Sequence, residues 1–406
     1  MSALLAIMGS ATPAEDWSLR ILFAADVSPD PDSGAAGTEW QTIQALRRLG
    51  HDVDEIWAAD LGRRIQHGNL HYLIELPRAY RRVIGDRCRQ ARYDVIHANQ
   101  GHCYLAAREH RRAQRAGVFI CRSHGLDDHM EHVLAPWRDR FNLSSGNGLR
   151  KALGNVLNGL LQRHDRAAYR ETDGIIVSSG VDERYLREVM QVAPDRIGRI
   201  AQAPAAAFVA TPAIALDAQR LRRILHVGGF AYWKGVHAVA EAANRLFASS
   251  TCASLTWVCR SEEHGQVRSL LTPAAQARVE LAAWCSQEQL CAVYDRHGIF
   301  LCPSLFEGFG KVFVEAMARG LCVVGTPTGG MPDLIDDGRS GFLVGFHDPD
   351  GIVARVQQLW ANPASAQAIS SLAARTARNY SWERVGRETA EFYRRRLAAR
   401  AEGSRE

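Results

Sequence analysis

Glu307 and Glu315 stand eight positions apart in the run Pro303-Ser304-Leu305-Phe306-Glu307-Gly308-Phe309-Gly310-Lys311-Val312-Phe313-Val314-Glu315. The apolar stretch Ile299 to Cys302 before them predicts a buried strand, the glycines a turn, and the residues from Lys311 a helix. Backbone N–H groups of Phe309, Gly310 and Lys311 at such a helix start suit an anion such as a diphosphate, because those donors lack intrahelical partners and sit at the positive end of the helix dipole. Ionised carboxylates only accept hydrogen bonds, so Glu307 in the turn and Glu315 one turn into the helix are suited to hydroxyl groups. Hydroxyls on both sides of a diphosphate describe a nucleotide-sugar, with Glu315 placed for a ribose diol.

Three other segments are punctuated by glycines. These are Ser33-Gly34-Ala35-Ala36-Gly37-Thr38, Leu225-His226-Val227-Gly228-Gly229 with Lys234-Gly235, and Gly329-Gly330-Met331-Pro332-Asp333-Leu334-Ile335 followed by Gly341-Phe342-Leu343-Val344. Together with the glutamate pair, and in this order, they resemble the glycine loop, the donor motif, the E-x7-E element and the GG-x-P-E segment of the retaining glycosyltransferases of family four (glycosyl transferases group 1). The resemblance runs from about residue 19 to 395 and is most specific between 303 and 344. It implies an α/β protein of the GT-B type, two Rossmann-like doubly wound domains facing across a cleft. It also implies donor binding by Gly34, Gly37, Gly228, Lys234, Glu307, Gly308, Phe309, Gly310, Lys311 and Glu315, with UDP or GDP as the nucleotide of the donor sugar and no separate cofactor. His124, in Ser123-His124-Gly125, matches the position at which the family places a histidine near the transferred sugar. With Lys234 and Glu307 it forms the catalytic set.

The chain departs from that pattern at Gly229, where the family commonly has an arginine on the diphosphate. Lys311 or an arginine from another loop is then expected to substitute. Asp333 in place of Glu is a milder change, and His297-Gly298 replaces the usual acidic residue before the strand at Ile299.

The elements that must position these residues alternate between strand and helix. Leu19 to Ala25 is an apolar run of the kind a buried parallel strand needs, and Glu39 to Leu49 repeats apolar residues at Trp40, Ile43, Leu46 and Leu49, a helical stripe closed by Gly50. Further strands are expected at Tyr93–His97, Val118–Cys121 and Gly174–Ser178, and alternation restarts at Arg223–Val227 after an Ala- and Pro-rich stretch. The domain reading is an extension at 1–18, an acceptor-binding domain at 19–205, a linker at 206–222, a nucleotide-sugar domain at 223–381, and a helix at 382–406 crossing back to the first domain. Ligands of open parallel sheets bind beyond the strands' carboxyl ends. His97 and Asp26 fall at such ends, and His97, Asp127 and Asp128 are candidates for the acceptor.

Composition bounds the rest. The chain has 406 residues, room for two domains of ordinary size, and its net charge of +5 does not call for nucleic acid. Nine cysteines without C-x-x-C spacing suggest reduced, buried thiols in a cytoplasmic protein. Only three residues are lysine, and two of them, Lys234 and Lys311, fall in the proposed donor site. Asp52-Val53-Asp54 spells a D-x-D but opens a strand, and no metal is expected. Between Arg78 and Arg92 six arginines interleave with Ala79, Tyr80, Val83, Ile84 and Cys88, a basic amphipathic pattern suited to the anionic inner face of a membrane. A lipid-linked or glycan acceptor of cell-surface polysaccharide synthesis would fit such a surface. Transfer with front-face attack, the leaving diphosphate helping to take the acceptor's proton, is what the resemblance implies. The alternatives are a non-catalytic sugar-nucleotide-binding relative or another GT-B chemistry such as epimerisation.

Overall fold

The computed structural model of the protein describes residues 18–31, 33–141, 148–249 and 253–403, so residues 1–17 of the expected extension lie outside it. The first sheet contains β1 (Arg20–Ala24), β2 (Asp52–Ile56), β3 (Val95–Asn99), β4 (Val118–Arg122), β5 (Gly174–Val177) and β6 (Ile197–Arg199). The second contains β7 (Arg223–Val227), β8 (Ser254–Val258), β9 (Val279–Ala282), β10 (Ile299–Cys302), β11 (Cys322–Gly325) and β12 (Phe342–Leu343). Their orders are β2-β1-β3-β4-β5-β6 and β12-β11-β10-β7-β8-β9, with parallel pairing throughout. Helices cover both faces, which is why the strands read as continuous apolar runs: Ile21, Leu22, Ile120, Ile175, Leu255 and Phe300 are wholly enclosed. Each such side chain contributes about 1.5–3 kcal/mol on burial.

In each sheet the strand order reverses direction once, between β1 and β3 and again between β7 and β10. Crevices at such reversals, outside the strand carboxyl ends, are where open α/β sheets bind ligands. The segments leaving β7 and β10 are Gly228-Gly229 and Pro303 to Gly310.

Some boundaries differ from the sequence reading. The first helix spans Ala35–Arg48 and so begins inside the glycine loop. Gly37 permits this: a Cβ there would lie 2.5 Å from the Pro31 carbonyl oxygen. The third strand, Val95–Asn99, is shifted two residues from the expected Tyr93–His97: Asn99 still pairs with Arg122 of β4, and its amide oxygen is satisfied inside the core, accepting from the Tyr80 hydroxyl at 2.6 Å and the Asp26 N–H at 3.2 Å. Segment 206–222 is packed, with short helices at Ala206–Val209 and Ala218–Leu221 and with Phe208 edge-on to Tyr294.

The helix Trp382–Gly403 lies against the first sheet. The Trp382 indole N–H donates to the Pro204 carbonyl at 3.1 Å, and the Phe392 ring rests on Gly174 and Gly198, where a Cβ would come within 2.8 and 3.0 Å of it. Arg396 and Arg400 pair with Asp195 and Asp173 at 2.7 and 2.9 Å.

Candidate functional site

Gly34 and Ala35 from the first half, with Gly228, Lys234 and the run Glu307 to Val312 from the second, line a cavity of about 310 Å³. His124 and Gln202 close it on the first-domain side, and Trp284, more than half exposed, stands at its edge. The volume falls at the small end of the usual range for ligand pockets.

Two loops meet to build the second-domain side. Gly235 takes φ +72°, and a Cβ there would lie 2.0 Å from the Pro303 carbonyl oxygen, so only glycine lets the loop carrying Lys234 settle against the end of β10. The Lys234 ammonium then donates to both Glu307 carboxylate oxygens, at 2.8 and 2.9 Å, while the Ser304 hydroxyl donates to Oε1 at 2.8 Å. Burial opposes the charge on Lys234, but the paired carboxylate outweighs it and the ammonium's pKa is raised. Gly329 and Gly330 buttress the turn from behind. A Cβ on Gly329 would sit 2.7 Å from the Glu307 Cβ, one on Gly330 would sit 2.5 Å from the Phe309 ring, and the Gly330 N–H donates to the Phe309 carbonyl at 2.9 Å. Phe309 is buried, so it offers a ligand backbone rather than ring. Gly310, at φ 92°, precedes the helix Lys311–Ala318, whose start faces the cavity.

Glu315 is not among the cavity's lining residues. It is buried on that helix, burial raises its pKa, and the Ala205 backbone N–H hydrogen-bonds its carboxylate. His226 of the donor motif is likewise internal, its Nδ1 2.9 Å from the Leu301 carbonyl and its pKa lowered by burial to about 4. Gly229 stands open: the nearest atom to a Cβ there is a Glu263 carboxylate oxygen at 3.6 Å. The cationic side chains lining the cavity are Lys234, Lys311 and, when protonated, His124, with no arginine among the lining residues.

On the first-domain side His124 follows β4 and its Nε2 lies 2.6 Å from a Glu39 carboxylate oxygen. Glu39 was not anticipated from the sequence; it sits on the glycine-loop helix, fully enclosed, with the equally enclosed Arg122 guanidinium 3.8 Å from its other oxygen. Burial works against the Glu39 charge, yet the His124 ring and then Arg122 overcome it and hold its pKa down at about 2. An ionised acceptor at Nε2 fixes the imidazole's Nε2–H, while Nδ1 is enclosed and makes no hydrogen bond within the protein.

The other first-domain candidates do not converge on the cavity. His97 is wholly buried beneath the last helix, stacked on Phe23 with ring centroids 4.1 Å apart and with Nδ1 2.5 Å from the Tyr393 hydroxyl. Burial lowers its pKa to about 3, so it is a neutral core histidine and does not reach an acceptor. Asp128 is occupied, accepting from Arg166 at 2.7 and 3.1 Å and from the Tyr185 hydroxyl at 2.7 Å. Asp127 is exposed at the start of the helix Asp127–Arg140 and is not among the residues that line the cavity. Asp52 and Asp54 pair with Arg20 at 3.4 and 3.7 Å on the edge strand β2, away from the cleft.

The two halves touch where backbone is bare. A Cβ on Gly308 would lie 1.7 Å from the His124 carbonyl oxygen, and one on Gly125 would lie 3.2 Å from Gly308. Nearby, the Gly180 N–H at the start of helix Gly180–Glu188 donates to Asp333 at 2.7 Å, and Lys311 reaches the Ser33 carbonyl at 3.4 Å.

Two parallel doubly wound sheets with a phosphate-suited helix start between them define the class of nucleotide-using GT-B proteins. The chain matches the Glycosyltransferase Family 4 domain over residues 33–202 and the Glycosyl transferases group 1 domain over residues 221–362, and it belongs to this glycosyltransferase family. A D-inositol 3-phosphate glycosyltransferase of Nocardioides is 38% identical over 138 residues, 34% of this chain and 27% of that protein. An alpha-maltose-1-phosphate synthase of Mycolicibacterium smegmatis is 29% identical over 256 residues, 57% of this chain and 65% of that protein. The chain therefore spans about a quarter of the first relative's length and just under two thirds of the second's. Among solved structures, a sucrose-phosphate synthase from Thermosynechococcus elongatus superposes with a TM-score of 0.72 at 20% identity, covering 94% of this chain and 100% of that one. Anabaena HepE in complex with UDP and glucose does so with 0.65 at 17%, covering 92% and 98%. These likenesses show the GT-B fold.

Proposed function

We propose that the chain transfers a hexose-type sugar from a nucleotide-diphosphate donor to a glycan, lipid-linked or small-molecule acceptor, with retention and without a metal ion. The observation that carries this is the Lys234–Glu307 pair at the strand-order reversal of the second sheet, beside the helix start at Lys311 and facing Gly34 and His124 across one cavity. The diphosphate would lie on the Gly310–Lys311 helix start between the two ammonium groups, whose charges neutralise the departing phosphate. Glu307 would then accept from sugar hydroxyls while Lys234 turns to the phosphate.

Retention through a covalent intermediate needs a free carboxylate beneath the anomeric carbon. Glu307 is the carboxylate among the lining residues, and Lys234 and Ser304 hold it. Front-face attack, with the leaving diphosphate receiving the acceptor's proton, uses the groups that are present. UDP is the first nucleotide to try, since Anabaena HepE was solved with it. Cell-surface polysaccharide assembly at the cytoplasmic face of a membrane is the setting this reading favours.

Thermal unfolding against UDP-, GDP- and ADP-sugars tests the donor reading, with Glu307→Gln as control. At a hundred times its dissociation constant a ligand should stabilise by about 2.7 kcal/mol. A shift with one nucleotide class, lost in the variant, supports transfer. Absence of any shift overturns it and leaves a non-catalytic relative, the reading that the missing arginine at Gly229 favours.

A further inference from the structure

Basic charge gathers on the first domain outside the cleft cavity. The helix Leu76–Gln90 spends its apolar stripe inside the protein, with Leu76, Ala79, Tyr80 and Ile84 buried. A second cavity on that domain, of about 470 Å³, is larger than the one in the cleft and shares no lining residue with it. Asp128 and His132 reach it from helix Asp127–Arg140, Arg166 and Arg170 from the end of helix Gly148–Glu171, and Tyr185 from helix Gly180–Glu188. Arg196, just before β6, completes the basic lining.

The charges in this cavity do not balance. Asp128 is the acid among its lining residues, and Arg166 already satisfies it at 2.7 and 3.1 Å, with the Tyr185 hydroxyl donating at 2.7 Å. Arg170 is exposed, and among the described residues no acid pairs with it; the adjacent Glu171 turns instead to Arg108 and Arg111 at 2.9 and 3.8 Å. Arg196 is half-buried and fixed through one nitrogen, Nη2, which donates to the Tyr169 and Thr172 carbonyls at 2.5 and 2.6 Å. Carbonyls orient a guanidinium without cancelling its charge. Burial and then the Arg396 charge push the Arg196 pKa down, and the acids that act on it, Asp173 and Asp195, are engaged by Arg400 and Arg396 at 2.9 and 2.7 Å. A held guanidinium beside other cations is costly when unpaired and ready for an anion.

We propose that this cavity binds a small organic phosphate ester, with its phosphate on Arg170, Arg196 and Arg166 and its organic body against Met190, Val192 and the Tyr185 ring. Phosphate follows from the charge. Two guanidinium groups without an acid partner and a third shared with Asp128 balance a dianion, and their planar N–H forks match phosphate oxygens in pairs. A carboxylate would bring half that charge. An organic body follows from the rest of the lining: Met190 and Val192 are apolar, Val192 is buried, and the volume lies within the usual range for small-molecule pockets. Binding here is separate from the donor cavity and does not require that transfer occur.

Calorimetric titration of the full chain with phenyl phosphate tests it, with inorganic phosphate and benzoate for comparison. Phenyl phosphate should saturate one site, and its affinity should fall as salt rises. Inorganic phosphate, which lacks the ring, and benzoate, which lacks the second charge, should each bind about tenfold more weakly or worse. Arg170→Glu should weaken phenyl phosphate by about tenfold or more, and Arg170→Gln, which removes the charge and keeps the length, should act in the same direction. Because Arg170 is exposed and has no acid partner among the described residues, both variants should unfold at the wild-type temperature. Lys234→Ala should leave phenyl phosphate binding unchanged. No binding by wild type, equal binding of inorganic phosphate or benzoate, or affinity untouched by both Arg170 variants overturns the proposal. Affinity lost in Lys234→Ala and kept in Arg170→Glu would place the anion in the cleft cavity and overturn it likewise.

Discussion

The two walls of the cleft are built on opposite plans. On the second-domain wall the working groups come from short loops at neighbouring strand ends, and both oxygens of Glu307 have protein partners, Lys234 on each and Ser304 on one. On the first-domain wall Glu39, Arg122 and His124 come from a helix and from a strand end far apart in sequence. Their charges are enclosed, and Glu39 Oε2, His124 Nδ1 and two Arg122 nitrogens make no hydrogen bond within the protein. Hydrogen bonds satisfy both oxygens of the second-domain carboxylate, whereas Glu39 on the first-domain wall is held by one hydrogen bond to His124 and by the Arg122 charge 3.8 Å away. Substitutions should therefore cost most at the second-domain pair and less in the first-domain network.

The largest effect is expected from Lys234→Ala. It removes a cation from the proposed diphosphate site and leaves the Glu307 carboxylate, 7% exposed, with Ser304 as its side-chain partner. Loss of one such electrostatic contact lowers turnover by about 100- to 1,000-fold. Uncompensated burial of Glu307 should also lower the unfolding temperature. Initial rates with a saturating nucleotide-sugar check the first effect and calorimetry the second. A variant within tenfold of wild type would mean that the second wall is not the donor site.

Glu39→Gln probes the other wall and should be milder. The amide keeps a contact to His124 Nε2 but not the charge, so transfer should fall by about 10- to 100-fold while the donor's KM hardly moves. Its stability signature is separate. Glu39 ordinarily titrates near 4.5 and in the fold near 2. A depressed carboxyl pKa contributes stability that is complete above 4.5 and is lost as the pH falls from there toward 2, a span of about 3 kcal/mol. Unfolding temperature measured between pH 6 and 3 should drop less steeply in the variant. If the acid slope is unchanged and transfer is unaffected, the enclosed charge network has no role in holding His124.

The same contrast explains what could be read from the sequence. Most of the second-domain wall is contiguous: strand, glycine turn and helix follow one another from Ile299 to Ala318, so spacing alone places Glu307, Gly310 and Lys311 together. Alternating apolar runs and glycine turns likewise announced the two parallel sheets. Glu39 was passed over as one polar position on an amphipathic helix, because its partners at 122 and 124 become neighbours only when the sheet forms. His97 and Asp128 misled for the converse reason. Both sit at strand or helix ends, where ligands often bind, but Tyr393 from the last helix and Arg166 from the helix Gly148–Glu171 occupy them. Glu315, one helical turn further along the same block, is buried beside Ala205 and is not among the residues that line the cavity.

Gly229→Arg offers the smallest expected effect and the sharpest test of how complete the donor wall is. The position has no strained backbone, and a Cβ would meet the Glu263 carboxylate at an ordinary 3.6 Å. That carboxylate already accepts from the Phe230 and Arg260 N–H groups at 3.0 and 3.2 Å, so it is fixed well enough to orient a guanidinium. A charge-assisted contact to phosphate contributes about 1.5–3 kcal/mol, which predicts roughly tenfold or tighter nucleotide binding. If Lys311 stands in for the absent arginine, Lys311→Ala should weaken binding strongly in the natural background and only slightly beside Arg at 229, a coupling that calorimetric titration of the four variants would measure. Additive effects of the two substitutions would place the diphosphate away from Lys311, whereas unchanged affinity in Gly229→Arg alone would place it away from the β7 loop altogether.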